Sequence, residues 1–223
     1  MKKIVALIGG CLLWHGFVSA EISVRVLDSA GIPISNAVIS IPLSEKNSSL
    51  ATNIDKADMM PAIMDQVDKQ FLPHVLLVNK AQSVIFPNSD QVRHHVYSFS
   101  KPNDFEIRLY SGNQAEPVTF LEPGVVVLGC NIHDKMLGYL YVQDNEIASI
   151  SDQNGVARFD NEFLNETAQD QVVTIWHSQL SSNKTDRVTK LLQEKDENGV
   201  WLLHLELIPE VKKTKRTFKL RYP

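Results

Sequence analysis

A chain of 223 residues has room for one or two domains and a substantial core. Its 43% hydrophobic and 22% charged residues exclude a disordered tail, a collagen and a multi-span membrane protein, and a net charge of −4 gives no basic character for nucleic acid. The two cysteines, Cys11 and Cys130, are too few for a disulfide framework and too far apart for a C-x-x-C redox or zinc unit.

Residues 1–20 read as a signal peptide: Lys2 and Lys3 open it, residues 4–18 are mostly apolar, and Val18-Ser19-Ala20 is a small-residue cleavage site. The apolar run is short for a membrane anchor and is interrupted by His15. Ile8-Gly9-Gly10-Cys11 loosely matches a lipobox, so lipoprotein anchoring at Cys11 is the minor alternative. Cleavage after Ala20 removes two lysines and no acid, shifting the net charge from −4 to −6. The expectation is a periplasmic protein with no stable membrane span after cleavage. Cys130 is then the single cysteine of an exported chain, and an unpaired thiol in an oxidising compartment calls for a chemical role.

Strand signals dominate the remainder. Segments 24–27 and 37–41, joined by a turn over 28–33, read as a hairpin, and residues 21–45 as the first strands of a flanking β-sandwich. Residues 46–69 are polar and read as a loop or a short helix near 62–68. Between 70 and 143, short strands are predicted at 75–78, 83–86, 95–99, 105–110, 118–121, 125–128 and 139–142, separated by Asn/Asp/Gly/Pro turn clusters. Phe105-Glu106-Ile107-Arg108-Leu109 alternates, as for a strand with one wet face, whereas Gly124-Val125-Val126-Val127-Leu128 does not, as for a strand covered on both faces. Seven short strands in this span indicate a sandwich or Greek-key barrel. Residues 144–223 add a strand–Asn-Gly turn–strand unit over 150–157 and strands at 172–176, 187–192 and 201–207, which read as the rest of the flanking sandwich. Residues 212–216 form a basic cluster that reads as a solvated face. The predicted fold class is all-β. Val24-x-Val26 with Asp28, Gly31, Pro33 and Ala37, and later Ser151-Asp152-x-x-Gly155, resemble the transthyretin-like, carboxypeptidase-regulatory sandwiches. That resemblance implies that the 70–143 module is inserted into the flanking sandwich.

The chemistry concentrates in Cys130-Asn131-Ile132-His133-Asp134-Lys135-Met136, directly after the doubly covered strand. The spacing C-x-x-H-x-x-M gathers a thiolate, an imidazole and a thioether on one loop, a soft sulfur and imidazole set that suits copper. A trigonal His₂Cys site with a weak axial Met needs one more histidine, and His94 and His95 adjoin on another strand. Neighbouring strand residues face opposite ways, so only one of the two can point at the metal.

Asn88 through Val96, together with the Cys130 loop, resembles the cupredoxins, the small blue-copper electron carriers such as amicyanin and plastocyanin; the short loop is nearest amicyanin's form. Met64-Asp65-Gln66, Phe86-Pro87-Asn88, His94-His95-Val96-Tyr97-Ser98 and Gly129-Cys130-Asn131-Ile132-His133-Asp134 resemble the bacterial methylamine-utilisation-type cupredoxin-domain proteins more closely. The resemblance covers residues 70–143, a cupredoxin-like Greek-key module, and implies one type 1 copper site with His94, Cys130 and His133 as equatorial ligands and Met136 as the axial one. His95 stands where the family has Asn and becomes a core or supporting residue. By the same analogy the partner is a redox protein, a dehydrogenase or a cytochrome.

The expected function is one-electron transfer in the periplasm, with copper trafficking or sensing through the same ligands as the alternative. Catalysis is disfavoured, because no two histidines are separated by a single residue, as the H-x-H pairs of a second copper centre would be. A Cys-His hydrolase is disfavoured because Cys130 ends a buried strand instead of opening a helix. Met59, Met60 and Met64 read as gap-filling hydrophobes rather than a copper(I) site, and His74, His177 and His204 as isolated structural histidines.

Overall fold

The computed structural model describes residues 21–43, 59–112, 115–160 and 168–209, which form eighteen strands and no helix. The segment expected to be a signal peptide, with Cys11, residues 46–58 of the predicted loop and the basic cluster at 212–216 lie outside the described residues. In chain order the strands are β1 (Glu21–Asp28), β2 (Val38–Pro42), β3 (Ala62–Ile63), β4 (Asp65–Val67), β5 (Gln70–Leu72), β6 (Val75–Asn79), β7 (Ser83–Ile85), β8 (His94–Ser98) and β9 (Phe105–Tyr110). They continue with β10 (Val118–Thr119), β11 (Gly124–Cys130), β12 (Leu137–Gln143), β13 (Glu146–Ile150), β14 (Val156–Asp160), β15 (Val172–Trp176), β16 (Arg187–Leu191), β17 (Glu194–Lys195) and β18 (Trp201–Leu205).

Both ends of the described chain build one sandwich. Sheet β14-β1-β18-β17 faces sheet β13-β2-β15-β16 across a core that includes Val24, Ile39, Phe159, Ile175, Trp201 and Leu203. The chain leaves this sandwich after β2 and re-enters it at β13. The hairpins expected over 24–41 and 150–157 do not form: β1 and β2 lie in different sheets, as do β13 and β14. The connections cross between sheets because their own residues fill the core. Ile34 and Ala37 are buried, and buried Ser151 donates to Ile34 O at 2.8 Å while its Oγ accepts from Ala37 N at 2.9 Å.

One turn design recurs three times in this sandwich, at 28–32, 152–156 and 196–200. In each, an Asp Oδ1 accepts the N–H groups of the second and fourth residues onward, at 2.8–3.0 Å. The third residue onward is a glycine with φ of 79°, 73° or 80°. Asp side chains make such local backbone bonds readily, and glycine takes the left-handed conformation without strain.

The middle of the chain forms a second two-layer unit. The five-stranded sheet β6-β12-β11-β8-β9 packs on β10-β7-β3 around Met64, Phe86, Val96, Phe120, Leu128 and Leu140. The helix allowed for 62–68 is absent, because Met64 and Gln66 alternate inward as β3 and β4 run extended. Asp68 and Lys69, at φ 52° and 60°, then make a two-residue hairpin turn into β5. Met64 is fully buried whereas Met60 is 84% exposed, so the three methionines do not face one site.

The outer face of β11 and β12 packs against the first sandwich. Val125, Tyr139 and Tyr141 share a core with Val38 and Trp176, so β11 is covered on both faces. Tyr141 Oη lies 3.0 Å from Ser40 Oγ and accepts from Arg187 at 3.3 Å.

Candidate metal centre

Antiparallel β8 and β11 pair Gly129 with Tyr97 and Cys130 with Val96, which sets the end of β11 beside the start of β8. Beyond Cys130 the backbone makes two successive turns: His133 N donates to Cys130 O at 3.4 Å, and Met136 N donates to His133 O at 2.8 Å. These fold His133 and Met136 back onto the strand end. On its other side β8 pairs with β9 through a register shift between His94 and Val96. Such a bulge re-aims the side chains around it.

The structure brings three of the four predicted residues together. Cys130 Sγ lies 3.6 Å from His94 Nδ1 and 3.6 Å from His133 Nδ1, and one donor atom from each residue falls within 4.8 Å of the others. The two imidazole rings are tilted by 56° with centroids 4.9 Å apart. His94, Cys130 and Met136 are buried, whereas His133 is only half-buried. Met136 borders the same cavity of about 320 Å³ as Cys130, His133, Tyr97 and Asn131. A divalent first-row ion with bonds of about 2.3 Å to sulfur and about 2.0–2.1 Å to nitrogen holds its S and N donors roughly 3.6–3.8 Å apart. The donor set and its spacing therefore fit a d-block metal ion.

Behind the cluster stands a carboxylate. Asp90 Oδ2 lies 2.6 Å from His94 Nε2. The loop carrying Asp90 is fixed by buried Asn88, whose Nδ2 donates to Val92 O at 2.9 Å and Tyr110 O at 3.0 Å while its Oδ1 accepts from Asp90 N at 3.0 Å. Burial pushes the Asp90 carboxyl up, but hydrogen bonds from Lys69 N–H, His94 and Asp68 N–H outweigh it and hold the group below the usual carboxylate range. Tyr110, opposite His94 on β9, donates to Phe86 O at 2.6 Å and accepts from Gln66, and burial raises its pKa to about 12.

The neighbouring histidines divide as strand alternation requires. His95 turns away from the cluster, with Nε2 3.0 Å from Glu106 Oε1. His74 and His177 are not isolated: each is half-buried, and each titrates below the ordinary histidine range mainly through burial, with His74 adding to the depression of His177. His204 is exposed on β18. Sequence reading missed two residues. Asp90 passed as a turn residue, although its spacing of four from His94 across a tight loop is a usable signal. Tyr97 covers Gly129 so closely that a Cβ there would meet the ring at 2.8 Å. Only the strand register reveals that contact.

Fold and site define an all-β protein with a candidate metal centre: a two-layer β unit with a His-Cys-His cluster at the end of adjacent strands, joined to a second β-sandwich. No family model and no curated protein sequence matches the chain. Among solved structures, it is similar to the Cu-containing nitrite reductase from Thermus scotoductus SA-01, with 26% identity and a TM-score of 0.37, over 39% of this chain and 23% of that one. The chain thus spans about a quarter of that reductase. It is similar to amicyanin from Paracoccus versutus at 22% identity and TM-score 0.34, over 40% of this chain and 88% of that one. A reduced Cu(I) form of an amicyanin mutant matches at 20% identity and TM-score 0.35, over 40% and 89%.

Proposed function

We propose that the chain is an exported type 1 copper protein that carries single electrons in the periplasm, with His94, Cys130 and His133 as equatorial ligands and Met136 as the axial one. The observation that carries this reading is the convergence of the two Nδ1 atoms on one buried sulfur, each at 3.6 Å. A His₂Cys set with a nearby Met on a short loop is the donor combination of blue-copper electron-transfer sites. The chemistry supplied at such a site is reversible one-electron exchange between Cu(II) and Cu(I).

The residues' task is to keep that exchange cheap in rearrangement. His94 and Cys130 are set by paired strands, β8 and β11, and resist movement when the charge at the site changes. Met136 is buried and anchored through its backbone to His133. His133 is half-buried, and Ile132 next to it in sequence and Leu137 on the same cavity are exposed, which suits a redox protein as donor or acceptor docking there. The domain reading is likewise a proposal: the copper module expected over 70–143, to which the fold adds β3 and Met64, is inserted between residues 21–45 and 144–223 of the flanking sandwich. The protein acts in this reading as a carrier, not an enzyme.

Voltammetry of the copper-loaded mature chain tests it. A reversible one-electron couple, absent from Cys130→Ser, is expected. Copper binding without a reversible couple would overturn electron transfer and favour trafficking or sensing through the same ligands.

A further inference from the structure

We propose that Asp90 is a positioning residue for the metal ligand His94, tying that ligand to the Asp68–Lys69 hairpin turn and setting the balance between the two copper oxidation states. The proposal deepens the copper reading and rests on it.

The geometry forms a chain of three links. The turn residues Asp68 and Lys69 both have positive φ, 52° and 60°, which points two consecutive N–H groups the same way. Asp90 receives both: Oδ1 accepts from Asp68 N at 2.7 Å and Oδ2 accepts from Lys69 N at 2.9 Å. The same Oδ2 lies 2.6 Å from Nε2 of His94, a ring with no solvent exposure. A carboxylate offers only acceptors, so Nε2 carries the proton of the neutral ring and Nδ1 presents its lone pair. That lone pair faces Cys130 Sγ, 3.6 Å away. The carboxylate therefore selects the tautomer that can ligate and fixes the orientation of the ring.

The electronic consequence follows from charge. A carboxylate on the far nitrogen makes the imidazole a stronger donor and adds negative charge near the ion, which favours the higher oxidation state. Loss of an outer partner of this kind typically costs about 10–100-fold in metal affinity. If a tenfold loss falls on Cu(II) alone, the reduction potential rises by about 59 mV.

Asp90→Asn and Asp90→Ala separate the roles, with three readouts. In the metal-free protein, nitrogen NMR of the His94 ring is expected to show the Nε2–H tautomer in the wild type and a mixture in Asp90→Ala. In the copper form, both variants are expected to raise the potential and weaken Cu(II) roughly tenfold or more, with Asp90→Asn, which still accepts one hydrogen bond, the milder. Unchanged tautomer and unchanged potential, with only a lower melting temperature, would overturn the proposal and leave Asp90 as a loop anchor. Failure of the wild type to bind copper through Cys130 would instead overturn the copper reading, and the metal-free tautomer measurement distinguishes the two failures.

Discussion

His94 Nδ1 and Cys130 Sγ stand 3.6 Å apart although 36 positions separate the residues in sequence. The Cys130↔Val96 pairing of β11 with β8 creates that proximity, so sheet register brings His94 to the donors that the Cys130 loop supplies locally. His94 is sealed from solvent whereas His133 is half-exposed. His133→Gly is therefore expected to lose the copper–thiolate absorption and regain it when imidazole is added, since a small ligand reaches the vacated surface position. His94→Gly is expected to regain little. Absorption titrations with imidazole read the difference directly.

The two β units are predicted to unfold together, because Trp176 of one lies in a common core with Tyr139 and Tyr141 of the other. The Trp176 and Tyr139 rings are 5.0 Å apart. Trp176→Ala should cost about 3–5 kcal/mol and lower the melting temperature of the whole protein in a single transition. Tyr141→Phe removes the hydroxyl bonded to Ser40 and Arg187 and should cost about 0.5–1.5 kcal/mol for each bond lost. Calorimetry with separate transitions in either variant would contradict a shared core.

Acid should weaken the protein partly through His177. Burial, with His74 and Lys184 nearby, lowers its pKa from 6.5 to about 4, against an opposing backbone hydrogen bond with Ser35, and its Nδ1 accepts from Gln179 N at 3.2 Å. Between these values the unfolded chain binds a proton that the folded chain refuses, so stability is lost as pH falls from 6.5 towards 4. The loss is at most roughly 3 kcal/mol, less any screening by solvent. Urea midpoints at several pH values should fall less steeply for His177→Gln than for the wild type.

The three Asp-x-x-Gly turns offer an internal comparison. An added Cβ at Gly155 would sit 2.5 Å from Val26 O, whereas at Gly199 nothing lies within 4 Å, yet their φ values are 73° and 80°. Gly199→Ala should cost only the left-handed backbone strain, about 1 kcal/mol. Gly155→Ala adds a backbone clash and should cost at least about 2 kcal/mol more. Equal melting temperatures would show that the backbone there can give way.

Much of the site could be read from sequence because its donors are chemically uncommon together: C-x-x-H-x-x-M places three of them on one loop, and strand alternation favours one of His94 and His95. What escaped was set by distant pairing. The sheet change between β1 and β2 depends on Ile34 and Ala37 entering the core, which their neighbours in sequence do not signal. The hairpin at Asp68–Lys69 uses two non-glycine residues at positive φ, in a polar stretch without turn glycines. The role of Asp90 depends on both that hairpin and the β8 bulge, so it became visible only with the fold.

The most direct test is a Cu(II) titration of the protein followed by visible absorption, run in parallel on Cys130→Ser. One equivalent of copper is expected to develop an intense sulfur-to-copper band in the wild type and none in the variant. Copper bound without that band, or a band that survives in Cys130→Ser, would contradict a site built on His94, Cys130 and His133.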